Sequence, residues 1–263
     1  MIDWVQGSVA DAQREAQERD APLLVLWTAN WCPPCNDLRR RVLEDETFRA
    51  ATGQGVAVRL EADMPLAQFW AERLRAHGYP TLIVFDPSGK ELLRLPPSGL
   101  PVHRYTELLT TAFRSQRPLS ELTSAASAWR LDLNADDVRR LAFHSWGQEL
   151  VLGAGPQRVG LMRRLRAAIP VEYADESVRL DFWYVLSCAR SGESSEQAFA
   201  LRQFAHSLES EHANFANQYE CLVDCRAVLD YLAREDCDLQ VRLARRWRGN
   251  VERLLVTERL SAT

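Results

Sequence analysis

Five residues, Trp31-Cys32-Pro33-Pro34-Cys35, restrict this chain more than any other stretch. They follow an apolar run, Leu23-Leu24-Val25-Leu26-Trp27, that reads as a buried strand. They open a segment, Pro33 to about Arg49, that reads as a helix, with Pro33 suited to its first turn. A strand-to-helix handover places Cys32 at a helix N-terminus, where unpaired N–H groups and the helix dipole favour a thiolate. Cys35 lies one turn further on, within reach of a mixed disulfide formed on Cys32. Pro33 and Pro34 stiffen the loop and withhold two backbone N–H groups. The chemistry this pattern carries is thiol–disulfide exchange, with Cys32 attacking and Cys35 resolving, and it needs neither metal nor prosthetic group. The alternatives are a zinc half-site or two inert thiols. Zinc requires four ligands, and His77 and His103 stand singly in this part of the chain.

The elements around the motif alternate. Residues 8–19 read as a helix and 23–27 as a strand. Val56, Val58, Leu60 and Ala62 alternate with Ala57, Arg59 and Glu61 at strand spacing, and Leu66 to His77 has helical spacing. Thr81 to Phe85 is a second buried strand. Asp86-Pro87-Ser88-Gly89 is a turn by composition, Lys90 to Leu95 is the answering hairpin arm, and Val102 to Ser115 is a helix. This order implies an α/β layered domain over residues 1–117.

After Pro118 the strand signals stop. Val138/Leu141/Ala142/Trp146, Val159/Met162/Leu165/Ile169, Val178/Phe182/Val185/Ala189 and Leu201/Phe204/Ala205/Leu208 are helical stripes, and two longer ones follow around Leu222 and Leu243. The breaks between them are short (Gly153 to Pro156, Pro170, Ser191-Gly192), and Ser194 with Gln197 fits a capping box. Residues 118–263 therefore read as an all-α domain of helical hairpins. Leu141-Ala142-Phe143 and Leu180-Asp181-Phe182 lie 39 residues apart, with Leu222-Val223 a further 42 on. That spacing suits either a tetratricopeptide-like stack or an irregular bundle without a repeat.

Composition narrows the function. The 263 residues are 46% hydrophobic and 26% charged, a globular balance. A net charge of −4, with 31 Arg dispersed and one Lys (Lys90), speaks against nucleic acid as a partner. Six cysteines are too few for a secreted disulfide scaffold. Cys188, Cys221, Cys225 and Cys237 sit among apolar helical positions and read as buried small side chains; for Cys221 and Cys225, which share a helix face, the alternatives are a metal site with His206 and His212 or a regulatory disulfide. Arg39-Arg40-Arg41 reads as a solvated helix face. No apolar run reaches the ~20 residues of a membrane span. The first twenty residues read as a polar amphipathic helix rather than a leader, which gives a cytoplasmic placement as the sequence stands and a periplasmic one where a leader has been removed.

Leu23 to Cys35 resembles the active-site strand and helix start of thioredoxins. Gly78-Tyr79-Pro80-Thr81 resembles the segment carrying that family's cis-proline, here Pro80, and Asp86 to Lys90 resembles the hairpin turn that follows. The likeness covers residues 1–117 and is nearest to thioredoxin-like domains of bacterial disulfide-reductase systems. It implies a thioredoxin fold in which the Tyr79-Pro80 loop faces the cysteines and Tyr79 offers its backbone to a substrate strand. Trp31, beside the motif, is expected to be exposed and to touch substrate, whereas Trp27 is expected in the core. Two departures stand out. The family's buried acid falls on Leu26 and its companion Lys on Arg59, so the usual proton acceptor for Cys35 is missing. Glu61, on the strand face of Arg59, is the substitute within the chain, and water or buffer is the alternative. The resulting expectation is a protein-disulfide reductase fed by an unspecified thiol donor, whose helical part selects a partner. An adaptor or chaperone built on a thioredoxin platform, or a disulfide donor in an oxidising compartment, are the other readings.

Overall fold

In a computed structural model of the chain, residues 1–97, 100–128, 132–148, 156–170 and 172–191 are described, together with positions 241, 245, 248 and 249. The stripes at Leu201, Leu222 and Leu243, the capping box at Ser194, the glycine break at Gly153 and the cysteines beyond Cys188 lie outside the described residues.

Four strands, β1 (Leu23–Thr28), β2 (Val56–Glu61), β3 (Thr81–Phe85) and β4 (Glu91–Leu95), form one sheet in the order β2-β1-β3-β4. β1 and β2 are parallel, and β1–β3 and β3–β4 are antiparallel. Period-2 alternation sends Leu24, Leu26, Leu82 and Val84 to one face, and Leu23, Val25, Trp27 and Ile83 to the other. Both faces are covered, which is why the strands read as near-continuous apolar runs. Helices α1 (Val9–Glu18) and α4 (Ala67–Arg73) pack on the second face through Val9, Ala12, Ala16, Ala67 and Ala71. The first face is covered by α3 (Glu46–Thr52) and α5 (Val102–Arg114) through Phe48, Tyr105, Leu108 and Leu109. The thioredoxin fold expected from the resemblance is the fold observed. At the β3–β4 turn, Gly89 adopts φ 86°, a left-handed conformation that favours glycine, while Asp86 Oδ1 accepts from the Lys90 N–H at 2.8 Å.

One expected element is divided. The single helix from Pro33 to Arg49 is instead α2 (Pro33–Leu38), a π-helical turn over Arg39–Leu43, and α3. Asp45 causes the break: its carboxylate accepts from the Thr47 N–H at 2.8 Å and the Phe48 N–H at 3.2 Å, which starts a new helix. The arginine run is exposed as expected; Arg39 pairs with Glu44 at 3.9 Å, and Arg40 and Arg41 pair with Asp37 on the preceding turn.

The compact unit containing the sheet runs from Met1 to Val151, so the change of pattern at Pro118 marks where strands stop rather than where packing stops. Helices α6 (Leu119–Ser127) and α7 (Ala135–Phe143) belong to this unit. Ala142 and Phe143 of α7 join the core against the first face. Buried Arg140 donates to the Leu92 carbonyl of β4 at 3.1 Å, to the Arg117 carbonyl at 2.7 Å and to Asp137 at 2.6 Å. The second unit, Leu152–Thr263, contains α8 (Pro156–Ala168) and α9 (Ala174–Ser191). They present buried Met162, Leu165, Phe182 and Trp183, and Arg166 of α8 pairs with buried Asp181 of α9 at 2.7 Å. Among the described residues no helix is long and apolar enough to cross a membrane.

Candidate active site

Strand β1 ends at Thr28, and four residues later Cys32 caps α2 with an extended backbone. Pro33 and Pro34 fill the first helical positions and have no N–H to offer, so Cys35 supplies the first donor of the helix. That N–H points at Cys32 Sγ, 3.3 Å away. The motif thus uses its two prolines to reserve one backbone donor for one sulfur. Both cysteines are free thiols, 5% and 4% exposed, in a small cluster with Ala29 against which Tyr79 and Ala62 pack.

The two thiols differ in environment. Burial, followed by the hydrogen bond with Cys32, pushes the Cys35 thiol up to about 11. The Thr28 hydroxyl and the Ala29 backbone pull the other way without offsetting this. Cys35 therefore holds its proton at neutral pH, and a resolving step through it needs an acceptor.

The loop Gly78–Thr81 closes the site from β3, and its Tyr79–Pro80 peptide is cis. The Tyr79 ring lies 4.4 Å from Trp27 and 5.3 Å, edge-on, from Trp31. Burial raises the Tyr79 hydroxyl, with the nearby Asp63 charge adding to it. Trp27 is core, whereas Trp31 is 62% exposed with its indole N–H directed at Asp63, 3.1 Å from Oδ2. Met64, Leu66 and Phe69 are also exposed on the segment that follows Asp63.

Behind Cys35 lies a cleft of about 660 Å³ whose lining includes Leu26, Thr28, Cys35, Arg39, Arg59 and Glu61. The parallel register pairs Leu26 with Arg59 and Thr28 with Glu61. Glu61 Oε1 pairs with Arg59 at 3.1 Å, while its Oε2 is buried without a hydrogen-bond partner. The structure therefore brings Cys32, Cys35, Trp31, Tyr79 and Pro80 together on one side, and puts Glu61 in the cleft that Cys35 lines. Among the described residues no group of three or more His, Cys, Asp or Glu is placed to hold a metal ion.

The family model described as thioredoxin-like matches residues 3–87. The match takes in α1 to β3 and stops short of β4. Over 82 residues the chain is 30% identical to the thiol:disulfide interchange protein DsbD 1 of Pseudomonas aeruginosa, a match covering 30% of this chain and 14% of that protein. The chain thus spans only a small part of the length of that relative. Among solved structures, a DsbH oxidoreductase is 20% identical over 44% of this chain and 86% of its own, with a TM-score of 0.39. A thioredoxin from Thermus thermophilus is 25% identical over 41% of this chain and 84% of its own, with a TM-score of 0.37.

Three contributors to this thioredoxin-like site escaped the sequence reading. Thr28 was recoverable, because alternation along β1 puts it on the face of Leu26. Asp63 carried only its position two residues beyond Glu61. Gln148, whose side-chain amide donates to the Pro80 carbonyl at 2.9 Å, is 68 residues away along the chain and had no local signal at all.

Proposed function

We propose that the chain reduces protein disulfides by two successive exchanges. Cys32, as the thiolate, attacks one sulfur of the substrate disulfide; the S–S bond breaks, a Cys32–substrate disulfide forms, and the first substrate sulfur leaves as a thiolate. Cys35 then gives up its proton and attacks Cys32 Sγ. This closes a Cys32–Cys35 disulfide and releases the second substrate sulfur, so two electrons have passed to the substrate. A thiol donor restores the pair. The observation that carries this reading is the pairing of unequal thiols, with Cys32 at the helix start receiving the Cys35 N–H and Cys35 holding its proton up to about 11.

In this reading Tyr79 and Pro80 align the substrate strand, and exposed Trp31 contacts it. Glu61 takes the Cys35 proton through water in the cleft, which its unpartnered Oε2 and its place in the lining support. The helical part of the chain selects the partner. The test is insulin reduction with dithiothreitol as donor. Wild type accelerates it and Cys32→Ser does not; acceleration that survives Cys32→Ser refutes the reading. Direction is read from the potential of the pair: near about −270 mV marks a reductase, and near about −120 mV marks a disulfide donor instead.

A further inference from the structure

Among the described residues, the loop Gly78–Thr81 is held from within residues 3–87 by the Thr81 hydroxyl, which donates to the Gly78 carbonyl at 2.6 Å, by the Tyr79 ring against Trp27 and Trp31, and by the pairing of Thr81 with Trp27 in the sheet. The Gln148 amide on the Pro80 carbonyl reaches it from outside that segment.

Gln148 is itself fixed in place. The segment after α7 folds back along β4: the Ser145 N–H donates to the Arg94 carbonyl at 2.8 Å, and the Arg94 N–H donates to His144 Nδ1 at 3.2 Å. The Gln148 N–H returns to the Ser145 carbonyl at 3.1 Å, which closes a turn. Below it the Arg94 guanidinium, 1% exposed, donates to the Leu74 carbonyl at 3.0 Å and the Arg75 carbonyl at 2.8 Å. These are orphan carbonyls at the end of α4, where Arg75 turns left-handed at φ 51°. The same guanidinium reaches the Gln148 carbonyl at 3.4 Å. One buried arginine therefore secures the end of α4, where the chain enters the loop, and also the residue that grips Pro80. The Gln148 amide N–H contacts Pro80 while its Oε1 is buried without a partner. A buried polar atom left unpaired is costly, and the bond to Pro80 together with the backbone contacts of Gln148 must offset that cost.

We propose that Gln148 is a positioning residue for the substrate-facing loop: by holding the Pro80 carbonyl it sets the orientation in which Tyr79 meets a substrate strand. The assignment rests on the exchange reading above, and it makes the segment beyond the thioredoxin-like core part of the substrate-binding apparatus.

The test uses the full chain and two disulfides. A disulfide-closed fluorogenic peptide has a backbone to align on the loop, whereas bis(2-hydroxyethyl) disulfide has none. Gln148→Met keeps the length of the side chain and removes the donor. It raises KM for the peptide about fivefold, the worth of one net hydrogen bond, with kcat within about twofold. It leaves KM for the small disulfide within about twofold of wild type. Equal changes for the two disulfides, or no change for the peptide, would each overturn the assignment. A wild type inert toward both disulfides overturns the exchange reading itself, and this assignment with it.

Discussion

At the scale of single residues, the site depends on how unlike its two cysteines are. A thiol pushed up to about 11 is only about 10⁻⁴ ionised at pH 7, so Cys35 resolves quickly only if its proton is removed during the attack. With Glu61 as acceptor, the rate at which a mixed disulfide on Cys32 resolves varies little between pH 6 and 8. In Glu61→Gln the proton leaves to water or buffer, and the rate becomes slower and climbs toward about tenfold per pH unit. Stopped-flow fluorescence on both proteins measures this, and identical profiles remove Glu61 from the mechanism. The residues that do this work were partly visible beforehand. Cys32, Cys35, Trp31, Tyr79, Pro80 and Glu61 are local motifs or strand-alternation positions. Gln148 and Arg94 act through tertiary contacts between distant positions, which no local periodicity encodes.

At the scale of elements, the chain's periodicities account for the sheet and most helices, because an apolar run must be covered and an amphipathic stripe must pack. The misreading between Pro33 and Thr52 shows where this stops. Leu38 and Val42 keep helical spacing, but Phe48, also buried, falls six residues after Val42 and about 120° round from it, so the apolar stripe itself breaks near Asp45. What divides the segment is a side chain–backbone bond, with Asp45 competing for the N–H groups that a continuous helix would use. The Thr47 hydroxyl and the Phe48 N–H hold the Asp45 carboxyl below its ordinary value of 3.8. Its stabilising effect is therefore present above that value and is lost as pH falls through the lower, folded-state value. Asp45→Ala should lower the thermal midpoint at pH 7, and the gap from wild type should narrow as the medium is acidified below 3.8. A gap that is constant from pH 7 to pH 3, followed by calorimetry, would show that Asp45 acts by something other than its charged cap.

At the scale of the whole molecule, the thioredoxin-like domain does not account for everything around its own site. The sequence changes character at Pro118, yet the compact unit runs on to Val151, with Arg140, His144 and Gln148 bonded back to β4 and the Pro80 loop. Strands ending and packing ending are different events, and only the first leaves a mark in the pattern. Beyond Val151, α8 and α9 belong to a second unit, the part of the chain left to choose a partner under the proposed function. The account stands or falls on which sulfur meets the substrate. The most direct measurement is mass spectrometry of full-length Cys35→Ser after reaction with a peptide whose single cysteine carries a disulfide to thionitrobenzoate, a leaving thiol that diffuses away. The account predicts one long-lived peptide adduct, mapped by proteolysis to Cys32 and released by dithiothreitol. An adduct that maps to Cys188 or another cysteine, or no adduct under conditions where wild type reduces the peptide, would contradict it.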